Sequence, residues 1–264
     1  MILTPCNNRP VLQPCTLPER NFQVDPYIGC EHYCYYCYVL PKAETDWQRE
    51  ILFHEDIAGR LEKALAVIPP QTIYMGWETD PYQPCEAEYR QTRQVLKLLL
   101  EKGFSASILT KSDFVLRDTG LLQQMNDATV STSVAFNDND VRRLFESNTI
   151  DTESRINALR KMKTAGLKAS ALLCPVIPYI TEVIPLINML APHTDKIWLY
   201  GLSILNRTDQ NWLNVESILE SHFPDLRKQI ETVVFTKGHS YWTNLRQNLL
   251  ELQKDRNLNL DIYL

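Results

Sequence analysis

The sequence predicts an α/β fold, a partial (β/α)6 TIM-like barrel with a mainly helical C-terminal appendage. Three observations lead there. Six short apolar runs alternate with segments of helical periodicity, the pattern of a parallel sheet joined by helical crossovers. That number of units fits a curved, incomplete barrel better than the full eight. The chain has 264 residues, 44% of them hydrophobic, enough for a sizeable core, and no change of composition marks a second one. The expected organisation is an irregular N-terminal segment at 1–21, the barrel at 22–205, and an appendage at 206–264 packed on it.

Taken in order, residues 1–21 carry Pro5, Pro10, Pro14 and Pro18, which break any helix. Residues 22–28 read as the first strand and run into Gly29. Residues 56–67 put Ile57, Leu61 and Leu65 on one helical face, and Pro69-Pro70 stops them. Residues 72–75 form the second strand, ending at Gly76; residues 86–102 read as one continuous helix with Val95, Leu98 and Leu99 inward and Gly103 past its end. Strand 105–110 and helix 114–125 follow, then strand 128–135 and helices 139–145 and 153–165, the last closed by Gly166. Strand 168–174, helix 182–190 despite Pro185, and strand 196–200 complete the six units. Beyond them lie helices around 215–222, 226–234 and 241–255, and a strand-like run at 258–263.

A net charge of −5 gives no electrostatic case for nucleic-acid binding, although Arg155, Arg160, Lys161, Lys163 and Lys168 offer phosphates a local basic run. Seven cysteines, an odd count without regular spacing, argue against a disulfide framework. The opening Met1-Ile2-Leu3-Thr4-Pro5-Cys6 lacks the basic and apolar regions of a signal peptide, and no apolar run is long enough to span a bilayer. A reduced, cytoplasmic location and no membrane partner are therefore expected.

The chemistry concentrates in Cys30-Glu31-His32-Tyr33-Cys34-Tyr35-Tyr36-Cys37, three cysteines in eight residues with the spacing C-x3-C-x2-C. Thiolates hold iron–sulfur clusters, and three of them on a short loop grip three corners of a [4Fe–4S] cube and leave one iron open to a ligand. The alternative is a zinc site, with His32, Cys6 or Cys15 as fourth ligand. Barrels bind ligands where strands end. Gly76-Trp77-Glu78-Thr79-Asp80 after the second strand offers a close backbone approach and acceptors for an ammonium group. Lys111 after the third suits a carboxylate, Ser131 and Ser133 share one face of the fourth, and Cys174-Pro175-Val176-Ile177-Pro178 makes a stiff apolar wall after the fifth. These are the demands of a zwitterionic amino-acid nucleoside.

The cysteine spacing, with Tyr36 before the last cysteine, resembles the signature of the radical S-adenosylmethionine (SAM) superfamily. Asp25-Pro26-Tyr27-Ile28-Gly29-Cys30, Tyr38, Thr79-Asp80-Pro81-Tyr82-Gln83-Pro84-Cys85-Glu86, Thr92-Arg93, Thr110-Lys111-Ser112, Arg117-Asp118 and Pro175-Val176-Ile177-Pro178 look like the spore-photoproduct-lyase-like subgroup. The resemblance implies a [4Fe–4S] cluster on Cys30, Cys34 and Cys37, reductive cleavage of SAM, and a one-electron reductant of ferredoxin or flavodoxin type. It places Tyr36, Tyr38 and Cys174 near adenine, Gly76, Glu78, Thr79 and Asp80 by the methionyl amine or ribose, and Lys111 and Ser133 near the methionyl carboxylate. Spore photoproduct lyase carries a hydrogen-donating cysteine where this chain has Trp77, so Cys85 is the candidate substitute; Tyr38 and Tyr82, both redox-capable, are candidate hydrogen relays. The substrate stays open between a nucleic-acid lesion, a peptide and a small molecule, and a non-catalytic electron-transfer or zinc module is the rival reading.

Overall fold

A computed structural model describes residues 1–264. Its strands are β1 (Ile2–Cys6), β2 (Gln13–Pro14), β3 (Phe22–Gln23), β4 (Tyr27–Ile28), β5 (Glu50–His54), β6 (Thr72–Met75), β7 (Ser105–Thr110), β8 (Thr129–Ser133), β9 (Lys168–Val176), β10 (Lys196–Gly201) and β11 (Leu260–Tyr263). Its α-helices are α1 (Ile57–Leu65), α2 (Glu86–Tyr89), α3 (Gln91–Glu101), α4 (Thr119–Leu122), α5 (Asn139–Phe145), α6 (Thr152–Thr164), α7 (Val183–Leu190), α8 (Gln210–His222), α9 (Pro224–Phe235) and α10 (Ser240–Arg256).

Strands β3, β6, β7, β8, β9 and β10 pair in that order, all parallel, and form the six-stranded partial barrel. Their alternation divides two environments. Outward-facing Ile73, Met75, Ala106, Ile108 and Val130 share one buried core with Leu61 of α1 and Leu99 of α3. Ala169, Ala171, Leu173, Ile197 and Leu199 share a second with Leu186 of α7 and Leu249 of α10. The residues between them face the barrel interior and carry its chemistry.

The structure corrects the expected elements at four places and adds a pairing to a fifth, the strand-like run at the C-terminus. Residues 1–21 are not wholly irregular: β1 pairs in parallel with β5, and β5 pairs antiparallel with β4 in a separate sheet. Pro5 is tolerated there because β1 is an edge strand. The first strand splits into β3 and β4, with Val24–Pro26 bending between the two sheets. The continuous helix expected at 86–102 breaks at Arg90, whose φ is +54°. Glu86 explains the break: fully buried, its carboxylate accepts from the Thr92 amide (2.9 Å) and the Arg93 amide (3.2 Å), capping α3 from one turn upstream. The helix expected at 114–125 opens as a 3-10 turn over Asp113–Asp118, which brings the Asp118 carboxylate inward to Arg93 and Arg117. The run at 258–263 contains β11, which extends the barrel sheet in parallel beside β10.

Candidate active site

The cysteine loop leaves β4 through Gly29, whose φ of +93° and contact with Trp47 exclude a side chain. Tight turns then shape it: the Tyr33 amide donates to the Cys30 carbonyl (3.1 Å) and the Cys37 amide to the Cys34 carbonyl (2.9 Å). The Tyr35 amide donates to the Phe145 carbonyl (3.0 Å), pinning the loop to the end of α5. Cys30, Cys34 and Cys37 are free thiols, Cys34 buried and the other two half-buried. Burial pushes all three thiols up, Cys30 to about 12. The Lys111 ammonium acts against that shift at Cys34 and Cys37. Thiolates here need a further positive charge, which a metal cluster supplies.

No fourth protein ligand joins them. His32 turns its Nδ1 to the Asn148 carbonyl (3.0 Å) and its Nε2 to Asp80 Oδ2 at 3.3 Å, an ionic contact without hydrogen-bond alignment. Cys6 donates to Asn8 Oδ1 (3.0 Å), and Cys15 follows β2 at the far end of the sheet order. No three His, Cys, Asp or Glu side chains converge on one point as ligands of a single ion would. The donor set, three soft thiols with aromatic cover, fits an iron–sulfur cluster with an open corner.

Asp80 is the knot of the strand ends. Its Oδ1 accepts from the Tyr82 amide (2.8 Å) and the Thr110 hydroxyl (2.7 Å), and its Oδ2 from the Lys111 amide (2.7 Å). Burial pushes its pKa up, but His32, the Thr110 hydroxyl and the Lys111 amide outweigh it and hold it at about 2. The Thr79 hydroxyl donates to the Gly29 carbonyl (2.5 Å), so Thr79 and Asp80 spend their side chains on the protein. Glu78 is different: its amide donates to Asp25 Oδ1 (3.1 Å) while its half-buried carboxylate forms no hydrogen bond or ion pair. At Gly76 φ is +105° and a Cβ would collide with the Leu109 carbonyl, so β6 and β7 close up there only around glycine.

A second network supports the aromatic of the loop. The Tyr36 hydroxyl donates to Glu146, which is fully buried and pairs with Arg155 at 2.5 Å. Arg155 also donates to the Ser133 carbonyl (2.9 Å). Lys111 Nζ lies 5.9 Å from the Tyr36 ring centroid and donates to Ser133 Oγ (2.7 Å), which donates to the Cys174 carbonyl (3.1 Å). Burial pulls the Lys111 ammonium down, but Glu146 and Cys34 more than restore it, and the net direction is up. Tyr38, on the rim, donates to the Trp77 carbonyl, and their rings lie 5.8 Å apart.

The structure thus gathers Cys30, Cys34, Cys37, Tyr36, Lys111, Ser133 and Cys174 around one loop and its neighbouring strand ends. Cys85 sits in the neighbouring small core of Tyr27, Val39, Leu40, Trp47 and Ile51, against which Cys30 and Cys37 also pack, with its amide donating to Glu31 (2.5 Å). The basic run is no free patch: Arg155 is fully buried, Lys163 pairs with Asp195 (3.1 Å) and Lys168 with Asp127 (2.6 Å). Two structural supports escape sequence reasoning. Asp25 accepts from the Trp77 and Glu78 amides (3.1 Å each) and from Gln23 (3.0 Å), and burial raises its pKa to about 7. It stood in the Asp25-Pro26-Tyr27 motif without a role. Glu146 sits 110 positions from Tyr36, and no local pattern marks it.

The parallel strands β3 and β6 to β10 make a barrel left open on one side, with the three-thiol loop at its mouth. The family model described as the Radical SAM superfamily matches residues 24–185, and the chain belongs to that superfamily. Its members use SAM with an iron–sulfur cluster. An uncharacterized protein of Methanocaldococcus jannaschii is 27% identical over 218 residues, covering 81% of each chain. An uncharacterized protein of Mycobacterium tuberculosis is 30% identical over 178 residues, 63% of this chain and 52% of that one. Among solved structures, a spore photoproduct lyase variant with dinucleoside spore photoproduct superposes with a TM-score of 0.62 at 16% identity, over 84% of this chain and 66% of that chain. Streptococcus suis SuiB bound to S-adenosylmethionine gives 0.60 at 13%, over 90% of this chain and 48% of that one. These likenesses establish the partial-barrel fold. The chain spans about half the length of the mycobacterial relative and of SuiB. No helix is long and apolar enough to cross a membrane.

Proposed function

We propose that this chain is a radical SAM enzyme whose Cys30, Cys34 and Cys37 hold a [4Fe–4S] cluster with one iron left for SAM. The observation that carries the reading is the three free thiols borne at C-x3-C-x2-C spacing on one short loop at the barrel mouth, with His32 and Cys6 bonded elsewhere. When bound, the two cofactors supply one-electron cleavage of the SAM C5′–S bond and a 5′-deoxyadenosyl radical that takes a substrate hydrogen. The electron comes from an external one-electron donor of ferredoxin or flavodoxin type.

The chain's own residues orient and shield. Lys111, anchored on Ser133, offers its ammonium to the methionyl carboxylate, and Glu78, the one unengaged carboxylate of its loop, faces the methionyl amine. Tyr36, Tyr38 and the Cys174 segment border the adenine, while Thr79 and Asp80 act by fixing the loops that carry Glu78 and Lys111. The barrel portion, 22–205, carries the cofactors, and 206–264 borders the route to them. The experiment is anaerobic reconstitution with iron and sulfide, then reduction in the presence of SAM. The expected result is 5′-deoxyadenosine from the native chain and none from Cys34→Ala; no product from the native chain overturns the reading.

A further inference from the structure

Two pairs that stand out in the sequence, Thr92-Arg93 and Arg117-Asp118, have no part in the cofactor site. Their arginines line a cavity of about 430 Å³ together with Ala87, Arg90 and Phe114, between α2, α3 and the 3-10 turn after β7. None of these five residues belongs to a barrel strand or to the cysteine loop, so the cavity lies outside the lumen. Its charge runs against that of the chain. Three guanidiniums line it and no carboxylate does, in a chain of net charge −5. The carboxylates that pair with two of them, Glu86 and Asp118, are buried and off the cavity wall.

The three arginines are not equivalent. Arg117 is committed: Nη2 donates to Glu86 (2.5 Å) and Asp118 (2.7 Å), Nε to Asp118 (3.1 Å), and Nη1 to the Glu86 carbonyl (3.3 Å). Its guanidinium lies 4.4 Å from the Phe114 ring centroid. Arg93 spends Nη1 on Asp118 and the Arg117 carbonyl (3.4 Å), which leaves Nε and Nη2 without protein partners. The Arg90 side chain is exposed and bonds to nothing. Its backbone is left-handed, a conformation that glycine or asparagine adopts at less cost. A cation at the end of α2, one turn long, gains little from the helix dipole, so neither backbone nor dipole accounts for an arginine there. The first amides of α3 are not open to an anion, since Glu86 takes those of Thr92 and Arg93. What the cavity offers is two guanidinium edges on a frame fixed by buried ion pairs, with Ala87 and Phe114 as apolar neighbours.

One guanidinium fork fills the two oxygens of a carboxylate, whereas the terminal oxygens of a phosphate engage two forks. A protein partner needs about 20–30 residues a side, far more than this cavity presents. We infer that the cavity binds a phosphate group, free or as the monoester of a small organic molecule, with Arg90 and Arg93 on its oxygens and Phe114 beside the ester. The site stands apart from the cysteine loop and does not depend on the radical SAM reading.

The test is titration calorimetry at low salt on the full reconstituted chain with three probes: inorganic phosphate, phenyl phosphate and benzoate. Saturable binding of at least one phosphate is expected, the tighter one telling free phosphate from monoester, with benzoate about tenfold weaker or more. Arg90→Asn suits the left-handed backbone, so it should keep the native unfolding midpoint and still weaken phosphate binding about tenfold, the loss of a charge-assisted contact. Arg90→Lys, which keeps the charge and loses the fork, should fall between the two. No saturable binding of either phosphate overturns the inference, as does benzoate binding as tightly, or native affinity in Arg90→Asn.

Discussion

The Asp80 carboxylate accepts a hydrogen bond from the Lys111 amide at 2.7 Å, tying the loop after β6 to the end of β7. The same carboxylate takes the Thr110 hydroxyl and the Tyr82 amide, so three groups of two loops depend on one side chain. Asp80→Asn sets an amide nitrogen against the Lys111 N–H and leaves a buried donor unpaired. We expect a loss of about 2–3 kcal/mol in urea unfolding and reduced iron uptake on reconstitution. Thr110→Val, which removes the hydroxyl's bond to Asp80 and the one it accepts from the Ser112 amide (3.0 Å), should cost about 2 kcal/mol. Unchanged unfolding and iron content in Asp80→Asn would show that the tie is dispensable.

Glu146 and Arg155 form a second tie, entirely buried, beneath Tyr36. Arg155→Met leaves the buried carboxylate with the Tyr36 and Thr149 hydroxyls but without its paired cation, and should destabilise the chain by about 3–5 kcal/mol. Adding Glu146→Gln to that variant removes the stranded charge and should recover part of the loss. Denaturant midpoints of the two single variants and the double variant decide it; a double variant weaker than the sum of the singles refutes the coupling.

Much of this fold was legible because alternation and helical periodicity are local. Five of the six barrel strands fall where Ile73, Ile108, Val130, Leu173 and Leu199 mark apolar cores, and helix α1 ends before its Pro69-Pro70 stop. The break at Arg90 was not legible, since what decides it is a buried carboxylate six residues from the amide it caps. Nor was β1, because the pairing with β5 spans 48 residues and outweighs the local effect of Pro5. At the site, the cysteine spacing announces itself. The commitment of Thr79 and Asp80 to protein partners does not, because both face chain segments about 30 to 50 residues away.

Asp25 gives the chain a pH signature. Burial raises its pKa from 3.8 to about 7, so between these values the folded chain holds a proton that the unfolded chain has released. Stability contributed by Asp25 is therefore full below about pH 4 and declines as pH rises towards 7, by on the order of a few kcal/mol. Asp25→Asn should flatten this slope. The asparagine oxygen still accepts from the Trp77 and Glu78 amides, and its nitrogen can donate to Gln23 Oε1, which has no partner now. Unfolding free energies of the cluster-free chain at pH 5 and pH 8 provide the comparison, and equal slopes in both proteins would count against it.

Cys85 bears on which side chain returns hydrogen to the substrate. Its thiol lies in the small core of Tyr27, Trp47 and Ile51, and burial first, then Glu31, pushes its pKa far up. A neutral thiol is a competent hydrogen donor, so protonation alone does not exclude the role. Its burial argues against it: Cys85 is 8% exposed in the core under β4 and β5, against which Cys30 and Cys37 pack, whereas Tyr38 is exposed on the rim. Cys85→Ala should therefore lower stability by about 1 kcal/mol and leave 5′-deoxyadenosine formation within about twofold of native. A loss of tenfold or more at unchanged iron content would return the thiol to the reaction and place the substrate on the β4–β5 side of the barrel.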